Sequence, residues 1–226
     1  MKKSISFITL IILITLTNSI FAQTGCVSGN CKNGTGTYVL PNGNKFEGEW
    51  KNGKLNGKAT CTYEAGTWKG CKYVGDLVDN KLEGTGIFYY ASGDKYEGQW
   101  KNNMLNGTGI FTYVNGDLYE GEWVNNKCCG KGTFHYATGK NKGGVYIGEW
   151  KNNKTNGYGV YTNPEGEKYE GNWKDNLKEG QGKIVLPNGN KYDGEWKNNM
   201  FNGQGTFTYP SGKVFKGKWK DNVFVE

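Results

Sequence analysis

One histidine in 226 residues, His135, leaves little room for imidazole chemistry. A tetrahedral metal site needs several Cys or His ligands at matched spacings, and the six cysteines are placed poorly for one, so no metal and no cofactor is expected. As a general base His135 has no marked nucleophile beside it. Hydrophobic residues make up only 35% of the chain, too few for an ordinary buried core. The net charge is +7, of which Lys2 and Lys3 supply two, and this is too modest to mark a nucleic-acid partner. Acid–base catalysis needs two carboxylates in one cleft with separated pKa values. Glu47, Glu97, Glu120 and Glu170 instead recur once per repeat and alternate with lysine, which reads as a solvated ladder. The chain is therefore read as a non-enzyme.

What is present is a repeat. The pattern aromatic-x-Gly-x-Trp begins at Phe46, Tyr73, Tyr96, Tyr119, Tyr146, Tyr169, Tyr192 and Phe215, in steps of 23 or 27 residues. Leu77 replaces the tryptophan in one copy. A fixed period of this size implies stacked supersecondary units. Most of the 37 glycines belong to it, which removes weight from any phosphate-binding reading of a G-x-G pair.

In the copy from Tyr96, alternation places Tyr96, Gly98 and Trp100 on one face, with Glu97 and Gln99 opposite, as in a strand with one packed side. The polar segment Lys101 to Asn106 turns the chain. A second strand follows, with Gly107, Gly109, Phe111 and Tyr113 on one face, and Asn115–Gly116 reads as a two-residue hairpin turn. Glycine weakens a strand unless its empty space is used, so the rings are expected to lie across glycine backbone of a neighbouring strand. The packing residues are then Tyr96, Gly98 and Trp100; Tyr119, Gly121 and Trp123; Tyr146, Gly148 and Trp150; Tyr169, Gly171 and Trp173; and Tyr192, Gly194 and Trp196. The expected fold is all-β, an elongated single-layer antiparallel β-hairpin repeat array. The rings could instead stay exposed and bind sugars or peptides, but a structural role is preferred.

These residues resemble the MORN (membrane occupation and recognition nexus) repeat: Tyr96-Glu97-Gly98-x-Trp100 with Gly107-x-Gly109, Tyr169-Glu170-Gly171-x-Trp173 with Gly180-x-Gly182, and their equivalents. The resemblance covers residues 34 to 222 and implies a MORN-type solenoid. It also implies an elongated scaffold or dimerisation module, with membrane association a family theme rather than a rule. Two copies depart from the pattern. The Phe46 copy has Ala59 in place of a glycine and an insertion at Trp68, Lys69, Gly70 and Cys71, and the Tyr119 copy has one around Asn141 to Gly144. Both should form longer loops.

The N-terminus has a basic start, an apolar stretch from Ile5 to Phe21, then Ala22, the order of a secretory signal peptide. The domains expected are residues 1–22 as signal peptide cleaved after Ala22, 23–33 as a cysteine-containing segment, 34–222 as the array of about eight units, and 223–226 as a tail. An uncleaved anchor is the alternative. Export leaves Cys26, Cys31, Cys61, Cys71, Cys128 and Cys129 in an oxidising compartment, where an even count favours disulfides. Local spacing suggests Cys26 with Cys31 and Cys61 with Cys71, and disulfides are expected to stabilise the irregular repeats. Adjacent Cys128 and Cys129 have no evident partner.

The functional expectation is a non-catalytic scaffold for protein–protein interaction at the cell envelope, in the periplasm or outside the cell, its protein partner unidentified. The alternatives are peripheral binding to anionic membrane lipid through Lys51, Lys101, Lys151, Lys174, Lys197 and Lys220, and a cell-wall or carbohydrate-binding module. A homodimer through an end hairpin is a further expectation, and nucleic acid is not a partner.

Overall fold

The computed structural model describes residues 25–226; the expected cleavage after Ala22 lies outside them. The chain divides into two compact units. Unit one runs to Val114 and takes in Trp123–Asn126, while unit two comprises Asn115–Glu122 and Lys127–Glu226. Unit one contains β1 (Cys26–Gly29), β2 (Gly34–Val39), β3 (Lys45–Lys51), β4 (Lys54–Thr62), β5 (Lys72–Val78), β6 (Lys81–Tyr89), β7 (Lys95–Lys101) and β8 (Met104–Thr112). Strand β9 (Leu118–Val124) is divided between the units. Unit two continues with β10 (Lys127–His135), β11 (Val145–Lys151), β12 (Lys154–Thr162), β13 (Lys168–Lys174), β14 (Leu177–Val185), β15 (Lys191–Lys197), β16 (Met200–Thr208), β17 (Val214–Lys220) and β18 (Val223–Phe224). Within each unit the pairing is antiparallel between strands consecutive in sequence, so each unit is a ladder of hairpins.

Two turn types alternate. The tight turns are Asn-Asn or Asp-Asn pairs, or Asn52–Gly53 in the first copy, with both residues left-handed, such as Asn102 (φ 49°) and Asn103 (φ 65°). These are two-residue type I′ turns, which asparagine tolerates because its short polar side chain bonds locally. They are narrower than the Lys101–Asn106 segment expected: β8 already begins at Met104, and Leu105 is buried at 2% exposure. The Asn-Gly loops are wider than expected. In Leu40–Asn44 the Leu40 N–H donates to the Asn44 carbonyl and the Gly43 N–H to the Leu40 carbonyl, both at 2.9 Å, and Gly43 alone is left-handed (φ 87°). That is a three-residue loop, a type I turn closed by a left-handed glycine. Gly116 has the same φ of 87°, so Asn115–Gly116 is not a two-residue turn.

The repeated residues hold the ladder together. From β5 to β16 the second strand of each hairpin sets a glycine against the glycine of the first, as in Gly75 opposite Gly86 and Gly148 opposite Gly159, whereas β4 sets Ala59 against Gly48. A Cβ on Gly86 or Gly159 would run into the ring of Tyr73 or Tyr146, because each tyrosine lies flat over the glycine pair of its own hairpin. Its hydroxyl donates to the carbonyl of the residue three positions on, which faces the bulge: Tyr73 to Asp76 (2.9 Å), Tyr96 to Gln99 (2.9 Å), Tyr146 to Glu149 (3.1 Å) and Tyr192 to Glu195 (2.9 Å). The bulge arises because the register slips by two residues between the glycine and the tryptophan position, so that three residues of the second strand face one of the first. Each tryptophan reaches the preceding hairpin instead. Trp100 Nε1 donates to the Gly86 carbonyl (3.2 Å), and Trp196 Nε1 to that of Gly182 (2.9 Å). The rings thus cover glycine backbone as expected, with the tyrosine over its own strand and partner and the tryptophan over the neighbouring hairpin.

Candidate functional site

The structure places Tyr96, Tyr119, Tyr146, Tyr169 and Tyr192 over glycine pairs and buries Trp100, Trp123, Trp150 and Trp196, while Trp173 is half-buried. Tyr96, Tyr119 and Tyr169 are fully buried and Trp123 is 1% exposed. Burial raises the pKa of Tyr73, Tyr119, Tyr146 and Tyr169 far above the ordinary phenol value, and that of Tyr192 to about 12. The surfaces left for other work are the two edges, the insertion loops and the face opposite the rings.

The tight-turn edge carries a staple that the sequence reading missed. The second turn residue accepts, through Oδ1, the N–H of the first inward residue of the preceding hairpin: Asn80 from Leu55, Asn103 from Leu82, Asn176 from Thr155 and Asn199 from Lys178, each at 2.8 Å. The backbone N–H of the same asparagine returns a bond to that residue's carbonyl, as Asn80 does to Leu55 at 3.0 Å. The signal was available, since Asn follows the tryptophan position by three residues in every copy but the first, where Gly53 stands. Lys51, Lys101, Lys151, Lys174, Lys197 and Lys220 are exposed on this edge. Lysines there share the surface with acids, as in Lys154–Asp175 at 3.1 Å.

The cysteines behave in two ways. Cys26 and Cys31 form a disulfide in the β1–β2 hairpin. Cys61 and Cys71 do not: both are buried free thiols. Cys61 pairs with Tyr73, whereas Cys71 bonds to the backbone of Tyr63. The two cysteines therefore sit diagonally, a relation that separates Cα atoms by about 7–8 Å, beyond the usual disulfide reach. Burial pushes the Cys61 thiol up to about 12, so it is held as the un-ionised, unreactive form. Cys128 and Cys129 are also free, and neighbours on a strand face opposite ways. Disulfides thus do not stabilise the irregular repeats.

Backbone bonds stabilise them instead. The inserted loops close identically: Tyr63 N–H to Cys71 carbonyl and Gly70 N–H to Tyr63 carbonyl in the first, Tyr136 to Gly144 and Gly143 to Tyr136 in the second. Each contains one 3-10 turn, Gly66–Trp68 and Gly139–Asn141. Trp68 packs edge-on against Phe88 at 5.6 Å, where the second loop carries Asn141 flanked by lysines.

The column five residues after the tryptophan position also varies. It holds Leu55, Leu82 and Leu105 in unit one, and Cys128, Thr155, Lys178 and Phe201 in unit two. Lys178 lies over the Tyr169 and Trp196 rings and pairs with Glu167 at 3.0 Å. Burial holds its amine below the ordinary lysine range, against the pull of Glu167.

Opposite the rings, β3 carries Lys45, Glu47, Glu49 and Lys51 and β15 carries Lys191, Asp193, Glu195 and Lys197, while the other first strands vary this order. The side chains at the bulge have structural duties: Glu49, Asp76, Gln99 and Glu122 accept the N–H of Lys58, Thr85, Thr108 and Lys131. Glu47 and Glu97 pair with Lys45 and Lys95, both at 2.9 Å. His135 is exposed on β10. Among the described residues no group of His, Cys, Asp or Glu is arranged to hold a metal, and no helix is long and apolar enough to cross a membrane.

The MORN repeat family model matches residues 24–45, 46–68, 73–95, 96–118, 119–140, 146–168, 169–191 and 192–214. The chain belongs to the MORN repeat family, and its architecture is that of a repeat scaffold. The comparison with curated proteins gives no match. Among solved structures, the TCP domain of Drosophila melanogaster SAS-4 (dCPAP), in complex with a proline-rich motif of Ana2, is similar at 16% identity over 58% of this chain and 70% of that one, with a TM-score of 0.37. The TCP10 domain of Danio rerio CPAP, bound to a STIL peptide, is similar at 16% identity over 82% and 94%, with a TM-score of 0.32. A catalytically inactive virginiamycin B lyase from Staphylococcus aureus is similar at 14% identity over 86% and 73%, with a TM-score of 0.18. None of these likenesses bears on function.

Proposed function

We propose that the protein is a non-catalytic scaffold, exported through its N-terminal segment, that presents its ladder for protein–protein contact at the cell envelope or outside the cell. One observation carries this reading: the repeated aromatics, glycines and asparagines are spent on holding hairpin to hairpin, which leaves the face opposite the rings and the edges as the working surface. Proximity labelling with the full-length chain in its native compartment tests it. Reproducible labelling of specific envelope or secreted proteins is expected; labelling confined to cytosolic proteins would overturn it.

The exposed lysines of the tight-turn edge favour a second reading, peripheral binding to anionic lipid. Sedimentation with acidic liposomes, reversed by salt, is its expected result, and equal sedimentation with neutral liposomes would remove it. A homodimer through the last hairpin is supported by the exposure of Val223 in β18 and of Val225 just after it. Deleting Val223 to Glu226 should then return a dimer to monomer mass in sedimentation.

A further inference from the structure

The two strands that follow the inserted loops break the charge pattern in the same way. Where the other first strands carry Glu47, Glu97, Glu120, Glu170, Asp193 or Lys216, β5 carries Val74 and β11 carries Ile147. Both are exposed, at 37% and 57%. Register extends the exception across neighbouring strands. In unit one the row opposite the rings reads Glu47, Thr60, Val74, Ile87, Glu97 from β3 to β7. In unit two it reads Glu120, Thr133, Ile147, Val160, Glu170, with Glu120 set beside Thr133 by the approach of Gly121 to Gly132. Each position lies 73 residues from its counterpart.

The match is selective. Over the same 73 residues the buried column changes from Leu55 to Cys128, from Leu82 to Thr155 and from Leu105 to Lys178, so the interior differs while the solvent-facing row keeps its chemistry at all five positions. Packing does not require Val74 or Ile147 to be apolar, since glutamate occupies that place elsewhere in the array. In unit one the row borders a shallow groove of about 600 Å³ that runs from Glu47 to Glu97 over the glycine backbone between them.

We infer that each unit bears one docking lane for an extended segment of a partner protein, presenting a cation, two β-branched aliphatic residues and a second cation. The carboxylates at the lane's ends are four inter-strand steps apart, about 19 Å at about 4.8 Å each. An extended chain advances about 3.3 Å per residue with alternate side chains on one face, so the cations fall about six residues apart with the two aliphatic residues alternating between them. The sequence contains no arginine. An arginine fork from a partner bonds a carboxylate in two places, which the resident lysines Lys45, Lys95 and Lys168 cannot match. At Glu170 it must also displace the Tyr158 hydroxyl, which donates at 2.6 Å. The inference rests on the scaffold reading and names its contact surface and the chemistry of its partner.

The probe is the capped peptide Arg-Thr-Val-Thr-Val-Thr-Arg, titrated into the full exported chain by calorimetry. Two sites per chain are expected, with affinity about tenfold weaker when both arginines are replaced by glutamate. Val74→Glu and Ile147→Glu install the residue the array already carries at that place, so folding is retained and circular dichroism checks it. Each should remove one site and the pair both. Unchanged stoichiometry in the double variant, or equal binding of the glutamate peptide, overturns the lanes. Proximity labelling separates the two ideas: partners retained by the double variant sink the lanes and leave the scaffold standing, whereas the absence of specific envelope or secreted partners for the wild type sinks the scaffold itself.

Discussion

Leu105 and Lys178 hold the same place in their hairpins, and the comparison separates frame from filling. Around both, a tyrosine lies over a glycine pair, an asparagine staples the backbone N–H, and a tryptophan closes on the previous hairpin. Unit one fills the column with leucine; unit two uses a thiol, a hydroxyl, an ion-paired amine and a ring. The backbone course is the same, so the frame specifies the fold and the column sets how much stability each unit draws from it.

The largest effect tests the frame. A phenol whose folded pKa lies above its unfolded value of about 10 contributes stability that is whole below that pH and is lost as pH rises past it. Tyr73 in unit one and Tyr119, Tyr146, Tyr169 and Tyr192 in unit two all have this sign. Thermal melts should therefore show a midpoint that is flat near neutrality and falls steeply above about pH 10. A midpoint unchanged to pH 12 would break the account of both units.

The columns come next. Leu105→Ala should cost about 3–4 kcal/mol in chemical denaturation, against about 1 kcal/mol for Thr155→Ala, which loses far less apolar volume. Equal losses would erase the contrast. Gly86→Ala and Gly159→Ala should cost about 3 kcal/mol each, alike in the two units, because the added methyl meets the Tyr73 or Tyr146 ring. The smallest effect has the opposite sign. Lys178→Leu should stabilise unit two by about 1 kcal/mol, since a desolvated amine is exchanged for the packing that unit one uses and Glu167, 26% exposed, can turn to water.

Period and alternation revealed the hairpins, their inward face and the role of glycine, because aromatic-over-glycine packing is a local, short-range matter. Turn width was misjudged at Lys101–Asn106 and at Asn115–Gly116 because both turns are Asn-rich and only φ tells which residue goes left-handed. The Cys61–Cys71 pairing failed on register: ten residues apart in sequence looks close, yet the inserted loop sets them on a diagonal. The lanes were hidden for another reason. Val74 and Ile147 look like ordinary strand residues until the register lines them up with Thr60 and Ile87, and with Thr133 and Val160.

The asparagine staple also has a direction in time. Each hairpin from β3–β4 to β15–β16 borrows the acceptor for its first inward N–H from the hairpin made after it, and each from β5–β6 onward also borrows the indole for its glycine carbonyl. A chain emerging N-terminus first therefore always ends in one unfinished rung, which offers a prepared docking site to the next. Growth by such additions keeps contacts short in sequence and never asks distant segments to find each other.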